Sequence, residues 1–434
     1  MKRVVAIVAV MVAVLGWAGP ARAVIGTMDN VPAATLLLPY FEVDLGNVNG
    51  VSTLLSINNA SSAAVLVHVV VYSDLSVPTA NFNLYLTGYD VQTINMRDIF
   101  NGVLPLTADF IRDPTDTISH RGQFSNEANF DCGPPSAGQP ALLPPAPVPP
   151  GFAQHMALAH TGQSSPFLGN RCAGQNLGDN IARGYVVVNQ INNCTLQFPG
   201  DPGYFGPGGK VGNLNVLWGD YFFVNGGQNF AQGNPLVHIE ASGTDPETLV
   251  AGQYTFYGRY VAWTAADNRE PLATNFAVRF LNGGAFSGGT DLIAWRDSKT
   301  NQHEFTCPAL AGARPPWFPL GQEAVVIFDE QENVQLPPTI PIGPAPPFVG
   351  ILPFPAEAQR THVNGPDLPV PFSFGWLYLN LNTTIAGNTN PPEDPAVAQA
   401  FVEVIHNAEG RFSVGHNAIQ LDNATKALHF APVF

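Results

Sequence analysis

The stretch VLVHVVVY at residues 65–72 decides the fold class, because valine stands at every odd position from Val65 to Val71. The stretch NFNLYL at residues 81–86 repeats this pattern, with an apolar side chain at every even position. Alternation with a period of two is typical of a β-strand that buries one face and exposes the other. Both stretches are therefore predicted to be half-buried strands.

The same alternation recurs along most of the chain, and Gly, Pro, Asn and Asp separate the apolar runs as turn residues do. Many short strands of this kind predict packed antiparallel sheets. The fold class that we expect is mostly β, with two antiparallel β-sandwich-like units, long Pro/Gly-rich loops and little helix. The other predicted strands are residues 34–43, 51–58, 91–96, 184–190, 216–224, 236–241, 258–265, 275–281, 291–296, 324–329, 375–382, 400–406 and 411–421.

One segment near the C-terminus carries helix signals as well as strand signals. Asp394 and Pro395 are suited to begin a helix, Gly410 is suited to end it, and apolar residues lie between them at helical spacing. The β-branched residues concentrated at 401–405 favour a strand instead. We predict a strand over residues 400–406 and keep the helix as the alternative.

Two proline-rich, nearly uncharged segments predict the division of the chain, since such segments favour extended polyproline geometry and act as spacers. We expect the C-terminal strands to complete the N-terminal sandwich, because they are too few to form an independent unit. The predicted parts are a signal peptide at 1–23, an N-terminal β-sandwich part at 24–132, a Pro-rich linker at 133–151, a central β domain at 152–335, a Pro-rich linker at 336–366 and C-terminal strands at 367–434.

The first residues read as a secretory signal peptide. Lys2 and Arg3 precede an apolar run, and Ala21-Arg22-Ala23 is an A-x-A cleavage site. We expect export to the periplasm, the cell surface or the extracellular space, with a mature chain that begins at Val24. The later apolar stretches are too short to cross a bilayer as helices, which predicts no transmembrane helix in the mature chain.

The composition excludes several classes of protein. Charged residues are 12% of the 434 residues, well below the roughly 25% of an average domain, whereas hydrophobic residues are 45%, enough for a large core. The formal net charge of −15 argues against binding to nucleic acid through a basic surface. We expect partners among other surface proteins or polysaccharides.

The chain has four cysteines, Cys132, Cys172, Cys194 and Cys307. Because export makes disulfides plausible, we predict that all four are paired. Three connectivities are possible, and proximity along the chain favours Cys132–Cys172 with Cys194–Cys307. The alternative of a zinc site lacks the close C-x₂₋₄-C spacing that such sites use.

No familiar catalytic motif is present. The serine-elbow pattern G-x-S-x-G is absent, and the glycine-rich run before Lys210 continues with Val211, where a phosphate-binding loop needs Ser or Thr. His155 and His160 are five residues apart and lack the H-E-x-x-H glutamate, so we interpret them as packing or surface histidines.

Calcium is the one cofactor that the sequence leaves possible. Asp329, Glu330 and Glu332 cluster at the end of a predicted strand, and Ca²⁺ prefers carboxylate and carbonyl oxygens in loops. The alternative is an acidic turn exposed to solvent.

A carbohydrate-active enzyme is the main alternative to a non-catalytic role. A glycosidase needs two carboxylates facing one cleft, about 5 to 10 Å apart. Asp220, Glu240 and Asp291 lie near aromatic residues or strand ends and are the catalytic candidates in that case. Scattered acids produce such neighbours by chance, so the prediction stays an alternative.

Aromatic residues suggest a binding role. Side chains that are suited to stack on sugars, or to fill the core instead, are Trp218, Tyr221, Trp263, Trp295, Trp317 and Trp376. An outer-membrane β-barrel is a less favoured alternative, because Pro432 interrupts the alternation that ends at Phe434.

Several stretches resemble a group of uncharacterised exported bacterial proteins that are mostly β and have no assigned function. The resemblance implies no catalytic residue, cofactor or ligand. It rests on ATLLLPYFEVDL at 34–45, residues 74–79, YLTGYDVQTINMRDIF at 85–100, GDNIARGYV at 178–186, VLWGDYFFVNGGQNFAQG at 216–233 and GRFSVGHNAIQLDN at 410–423.

The sequence therefore predicts an exported, non-catalytic structural, cell-surface or binding protein. Low charge, many Gly and Pro residues and many short strands suit a surface scaffold. An enzyme is expected to differ by a concave pocket with convergent carboxylates of perturbed pKa.

Overall fold

A computed structural model describes most of the predicted strands. The described residues are 30–107, 132, 148–241, 255–261, 267–297, 303–308, 324–335, 354, 356–381 and 399–421. The predicted signal peptide and most of both predicted linkers lie outside these residues.

The described residues form nineteen strands and two α-helices, which confirms a mostly β fold. The helices are α1 (Met96–Phe100) and α2 (Phe152–His160). The strands are β1 (Thr35–Asp44), β2 (Ser52–Asn59), β3 (Val65–Ser73), β4 (Pro78–Leu86), β5 (Val91–Asn95), β6 (Ile181–Ile191), β7 (Leu217–Trp218), β8 (Asp220–Asn225), β9 (Phe230–Pro235), β10 (Val237–Ile239), β11 (Asn275–Leu281), β12 (Gly289–Arg296), β13 (Ala324–Asp329), β14 (Val334–Gln335), β15 (Ala358–His362), β16 (Phe374–Asn380), β17 (Ala400–Asn407), β18 (Ser413–Asn417) and β19 (Ile419–Gln420).

The first sandwich-like unit has two antiparallel sheets, ordered β10-β1-β6-β3-β4 and β5-β2-β8-β9, with β7 beside β2. Buried side chains from both sheets form one core, as the alternating apolar residues predict. Strand β1 shifts register between Leu38 and Phe41, around Pro39, which has no N–H to donate to a neighbouring strand. The sheet orders show that the N-terminal strands β1 to β5 form this sandwich together with strands β6 to β10, which lie within residues 181–239 of the predicted central domain.

Strand β3 is buried on both faces, which corrects the prediction of a half-buried strand. Val67 and Val69 belong to the core of the first unit, and on the other face Leu66 packs in a cluster with Ile191 and Cys194. His68 is covered there by the segment after β6, whose Gln197 carbonyl lies 3.0 Å from His68 Nε2. Alternation along a strand cannot show that a loop covers its second face.

The second sandwich-like unit has sheets ordered β14-β13-β16-β11-β19 and β15-β12-β17-β18. The C-terminal strand β16 lies between β11 and β13, and β17 lies beside β12. The C-terminal strands thus pair with the second half of the predicted central domain, which corrects the expectation that they complete the N-terminal sandwich. Pairing partners this far apart in sequence are set by tertiary packing.

The sheet β15-β12-β17-β18 is the layer that both units share. Along β12, Leu292 and Ala294 belong to the core of the second unit, whereas Ile293 and Trp295 belong to the core of the first. Phe401 and Val402 of β17 divide between the two cores in the same way. The two units are therefore packed on opposite faces of one sheet.

Two local predictions differ from the structure. Strand β15 lies within the predicted linker 336–366. Its residues pair with β12, and Ala358 and Thr361 are buried. Residues Gly258–Tyr260 form a short 3₁₀ helix instead of the beginning of a strand. The strand expected at 400–406 is confirmed as β17, so the alternative helix is wrong there.

The two disulfides are Cys132–Cys194 and Cys172–Cys307. All four cysteines are paired as predicted, but the favoured connectivity was wrong. Cys194 follows β6, whose pairing with β3 brings it next to Leu66 and Tyr85, and Cys132 packs against the same cluster. Disulfides of this kind are typical of an oxidising compartment outside the cytoplasm.

Among the described residues, no helix is long and apolar enough to span a membrane.

Candidate binding site

An open cleft of about 680 Å³ lies where three loops of the two units meet. The loop between β8 and β9 forms one wall, and the β11–β12 loop and the β17–β18 turn form the other. The lining residues are Gly226, Gly227, Gln228, Asn229, Phe230, Ser287, Gly288, Asn407, Glu409, Gly410 and Phe412. The volume falls within the roughly 300–1,000 Å³ that is usual for ligand pockets.

The cleft follows from the meeting of two edge strands. Strand β9 ends one sheet of the first unit and β18 ends the shared sheet. The Ser413 hydroxyl donates a hydrogen bond to the Ala231 carbonyl at 2.7 Å, and Asn229 Nδ2 donates to the Gly410 carbonyl at 3.2 Å. These bonds hold the turns in place beside the cleft.

The lining combines amide, aromatic and glycine groups. Gln228, Asn229 and Asn407 carry amide side chains, and Phe230 and Phe412 present aromatic rings. Among the described lining residues Glu409 is the one carboxylate, and it is exposed at the turn. A cleft of this composition offers hydrogen bonds and ring surfaces but no pair of facing acids.

Glu403 is a fully buried carboxylate where β17 contacts β8 and β9. The Tyr221 hydroxyl and Asn234 Nδ2 both donate hydrogen bonds to its carboxylate oxygens. Burial raises the pKa of Glu403 to about 7, although these bonds act to lower it. The group is enclosed by protein partners and does not line the cleft.

A second ionic group joins β1 to the shared sheet. Arg360 of β15 donates to Asp291 Oδ2 at 2.6 Å and lies 3.4 Å from Glu42 Oε2, while His362 Nδ1 lies 2.7 Å from Asp291 Oδ1. Burial acts to raise the pKa of Asp291, but His362 and Arg360 outweigh it and hold the pKa below its usual value. The hydrogen bond with Asp291 raises the pKa of His362.

A third ionic group is sealed in the core. The Arg259 guanidinium lies 2.6 Å from Glu357 Oε1 and 3.1 Å from Asp297 Oδ1, and all three side chains are almost fully buried. Arg259 also donates to the Ser76 hydroxyl at 2.7 Å. A buried cation between two carboxylates neutralises charges that are costly to leave unpaired.

The structure places the predicted catalytic candidates on or beside three different sheets. Asp220 lies on β8 and accepts a hydrogen bond from the Ser56 hydroxyl at 2.7 Å. Glu240 follows β10 at the edge of the other sheet of the first unit, and Asp291 lies on β12 in the ionic group with Arg360. The strand pairings do not set these three carboxylates side by side, and none of them lines the cleft.

The calcium candidates lie in the turn between β13 and β14. Asp329 accepts hydrogen bonds from the backbone N–H groups of Gln331 and Asn333, both at 2.8 Å, and from Asn333 Nδ2 at 2.7 Å. Glu330 and Glu332 are exposed. Among the described residues, no group of three or more His, Cys, Asp or Glu side chains is arranged to hold a metal ion.

His155 and His160 are packing residues, as predicted. His155 contacts the Ser165 hydroxyl at 2.7 Å and the Thr79 carbonyl at 3.0 Å. His160 contacts the Thr79 hydroxyl and the Arg183 carbonyl, both at 2.8 Å. Burial lowers the pKa of His160 to about 3 and also lowers the pKa of His155, as expected of rings that pack in the core around α2.

The predicted sugar-stacking aromatics divide between core and surface. Tyr221 and Trp295 are buried in the core of the first unit. Trp218 and Trp376 are partly exposed, and Trp376 stacks on Phe328 with ring centroids 4.3 Å apart. Trp263 and Trp317 lie outside the described residues.

Sequence patterns do not reveal the cleft, because its walls come from residues about 180 positions apart. In the sequence, the stretch VNGGQNF at 224–230 stands out only as part of the resemblance, and Gly410 only as a residue that is suited to end a helix. A glycine-rich turn followed by exposed amides and a phenylalanine is a weak local signal. Only the pairing of β17 with β12 and the contact of β18 with β9 bring the two walls together.

No protein-family model, curated protein or solved structure matches this chain.

Proposed function

We propose that this is an exported protein that acts by binding at or beyond the cell surface, without catalysis. The observation that carries the proposal is the composition of the open cleft, where Glu409 is the one carboxylate among the described lining residues. A glycosidase needs two carboxylates across its cleft. A cleft with amides, aromatic rings and a single acid is suited to hold a ligand.

The burial of the perturbed acids supports the same proposal. Glu403 and Asp74 have raised pKa values because they are buried, and each is hydrogen-bonded to protein groups. An active-site acid of raised pKa needs access to a substrate. These two acids are enclosed, so their perturbed pKa values fit a structural role.

Export is supported by the sequence of residues 1–23 and by the two disulfides. Expression of the full chain in a bacterial host, followed by cell fractionation and N-terminal sequencing, tests it. We expect the protein outside the cytoplasm with Val24 as its first residue. Recovery of uncleaved protein in the cytoplasm contradicts export.

The absence of catalysis is tested with the purified mature protein and a panel of soluble polysaccharides. We expect no release of reducing ends during long incubation. Release that is lost in an Asp220→Asn, Glu240→Gln or Asp291→Asn variant overturns the proposal in favour of the glycosidase alternative.

A further inference from the structure

We infer that the cleft between the β8–β9 loop and the β17–β18 turn binds an uncharged saccharide chain. This inference rests on the proposed binding role and names its ligand class. It follows from the hydrogen-bonding groups, the ring surfaces and the charge of the lining residues.

The amide side chains supply the polar recognition. Each primary amide offers two N–H donors and one carbonyl acceptor, so one side chain is able to bind neighbouring sugar hydroxyls as donor and acceptor together. Gln228 and Asn229 are exposed on one wall and Asn407 is half-buried on the other. A chain that lies in the cleft meets amides from both walls.

The phenylalanine rings supply surfaces for the apolar C–H faces of sugar rings. Phe412 is 48% exposed, and its ring is supported edge-on by Phe286, with centroids 5.8 Å apart. On the other wall, the Arg360 guanidinium lies 5.6 Å from the centre of the Phe230 ring. Both rings are thus held by neighbours, and little conformational freedom is lost when a ligand packs against them.

The charge of the cleft favours an uncharged ligand. The described lining residues include no Lys or Arg side chain, and Glu409 adds one negative charge. The whole chain has a formal charge of −15. The Arg411 guanidinium lies 6.0 Å from the centre of the Phe412 ring and donates a hydrogen bond to the Ala285 carbonyl, so it is held beside the lining. An anionic polymer therefore meets a lining that carries a net negative charge, whereas neutral hydroxyl groups match the amides.

Gly226 is a lining position at which a larger side chain can be introduced without a steric clash inside the fold. A Cβ atom at Gly226 has no other heavy atom within 4 Å, and this glycine does not have a positive φ. Gly226→Leu therefore adds an apolar side chain to the lining of the cleft while leaving the core unchanged. Phe412→Ala removes a ring surface instead.

Phe167 provides a matched control for Phe412. It is also 48% exposed, it stacks on the His155 ring at 4.9 Å, and it does not line the cleft. Phe167→Ala removes the same number of atoms from a surface phenylalanine elsewhere. Thermal unfolding of each variant reports whether the fold is intact.

The test uses the mature protein with the neutral polysaccharides dextran, laminarin and galactomannan, and with dextran sulfate as the charged counterpart of dextran. Affinity electrophoresis and titration calorimetry measure the dissociation constants. We expect at least one neutral polysaccharide to bind and dextran sulfate to bind more weakly. Phe412→Ala should weaken binding by about tenfold or more, the effect of removing a central aromatic contact. Gly226→Leu should weaken binding to a similar extent, because its side chain occupies space at the lining, and Phe167→Ala should change binding less than about twofold.

Two results overturn the inference, and a third overturns the proposed function. If both cleft variants bind as tightly as the wild type, the cleft is not the binding site, although the protein remains a binding protein. Binding to dextran sulfate but to none of the neutral polysaccharides, or to none of the four, excludes the ligand class. Release of reducing ends in the same mixtures contradicts the proposed non-catalytic role instead, so the two failures are distinguishable.

Discussion

At the scale of single residues, the burial of Glu403 links stability to pH. In the unfolded chain this carboxyl group has an ordinary pKa of 4.5, whereas burial raises the pKa in the fold to about 7. Below pH 4.5 the group is protonated in both states and folding pays no charge penalty. As the pH rises from 4.5 through about 7, the carboxyl group ionises in the unfolded chain before it ionises in the fold. The free energy of unfolding therefore decreases over this range.

We predict that Glu403→Gln removes this loss of stability at high pH. The variant keeps a neutral polar group beside Tyr221 and Asn234. Its free energy of unfolding, relative to that of the wild type, should therefore increase as the pH rises from 5 to 8, by up to about 3 kcal/mol. Urea denaturation at a series of pH values measures the difference. Glu409→Gln is the control, because Glu409 is exposed at a turn. Parallel pH curves for wild type and Glu403→Gln contradict the prediction.

The sequence does not reveal which acids have unusual surroundings. Asp291 looks like any acid near a strand end, but Arg360 and His362 approach it from β15, in a segment that reads as a proline-rich linker. Glu403 looks like a polar residue on the exposed side of a strand. It is buried because a second sheet packs against that side of the strand. The periodicity of the strand does not show that a second sheet packs there.

At the scale of elements, Gly184 shows how closely the central strands approach one another. A Cβ atom at this position would lie 2.0 Å from the Tyr72 carbonyl oxygen and 2.9 Å from the Phe41 ring. Gly184 is opposite Phe41 of β1 and Ser73 of β3. The strand that the sequence predicts at residues 184–190 begins at this glycine, whereas β6 begins at Ile181 and contains it.

We predict that Gly184→Ala lowers the free energy of unfolding by about 1–3 kcal/mol, the usual cost of overpacking a core. The added methyl group forces β6 away from β3 or displaces the Phe41 ring. Denaturant unfolding measures the loss, and Gly226→Ala is the control because its Cβ meets no neighbour. Equal stability of the two variants contradicts the close approach of these strands.

At the scale of the whole molecule, the Cys172–Cys307 disulfide joins parts of the chain that are 135 residues apart. Cys172 follows α2 in the first unit, and Cys307 lies in the segment after β12 of the shared sheet. Leu75, Phe305 and the two cysteines form a small cluster at this junction. The bond therefore adds a covalent link to the packing of both units on the shared sheet.

We predict the connectivity Cys132–Cys194 and Cys172–Cys307 in the exported protein. Trypsin leaves each cysteine on a separate peptide, so mass spectrometry of an unreduced digest reads the pairs directly. The double variant Cys172→Ala, Cys307→Ala should lose about 2–4 kcal/mol of stability, because its unfolded chain is no longer restricted by a long loop. A digest that shows Cys132 joined to Cys172 contradicts the predicted arrangement.

The sequence by itself determined the fold class, most of the strands and the pairing of all cysteines, because each depends on local alternation, turn residues or composition. Only the tertiary structure decided the rest. The C-terminal strands joined β11, β12 and β13, the disulfides connected distant segments, and the shared sheet buried Glu403. The cleft appeared only when turns about 180 residues apart came together at Asn229 and Gly410. A pattern along the chain reports which face of a strand is apolar, whereas the partner that covers this face is selected by packing across the whole molecule.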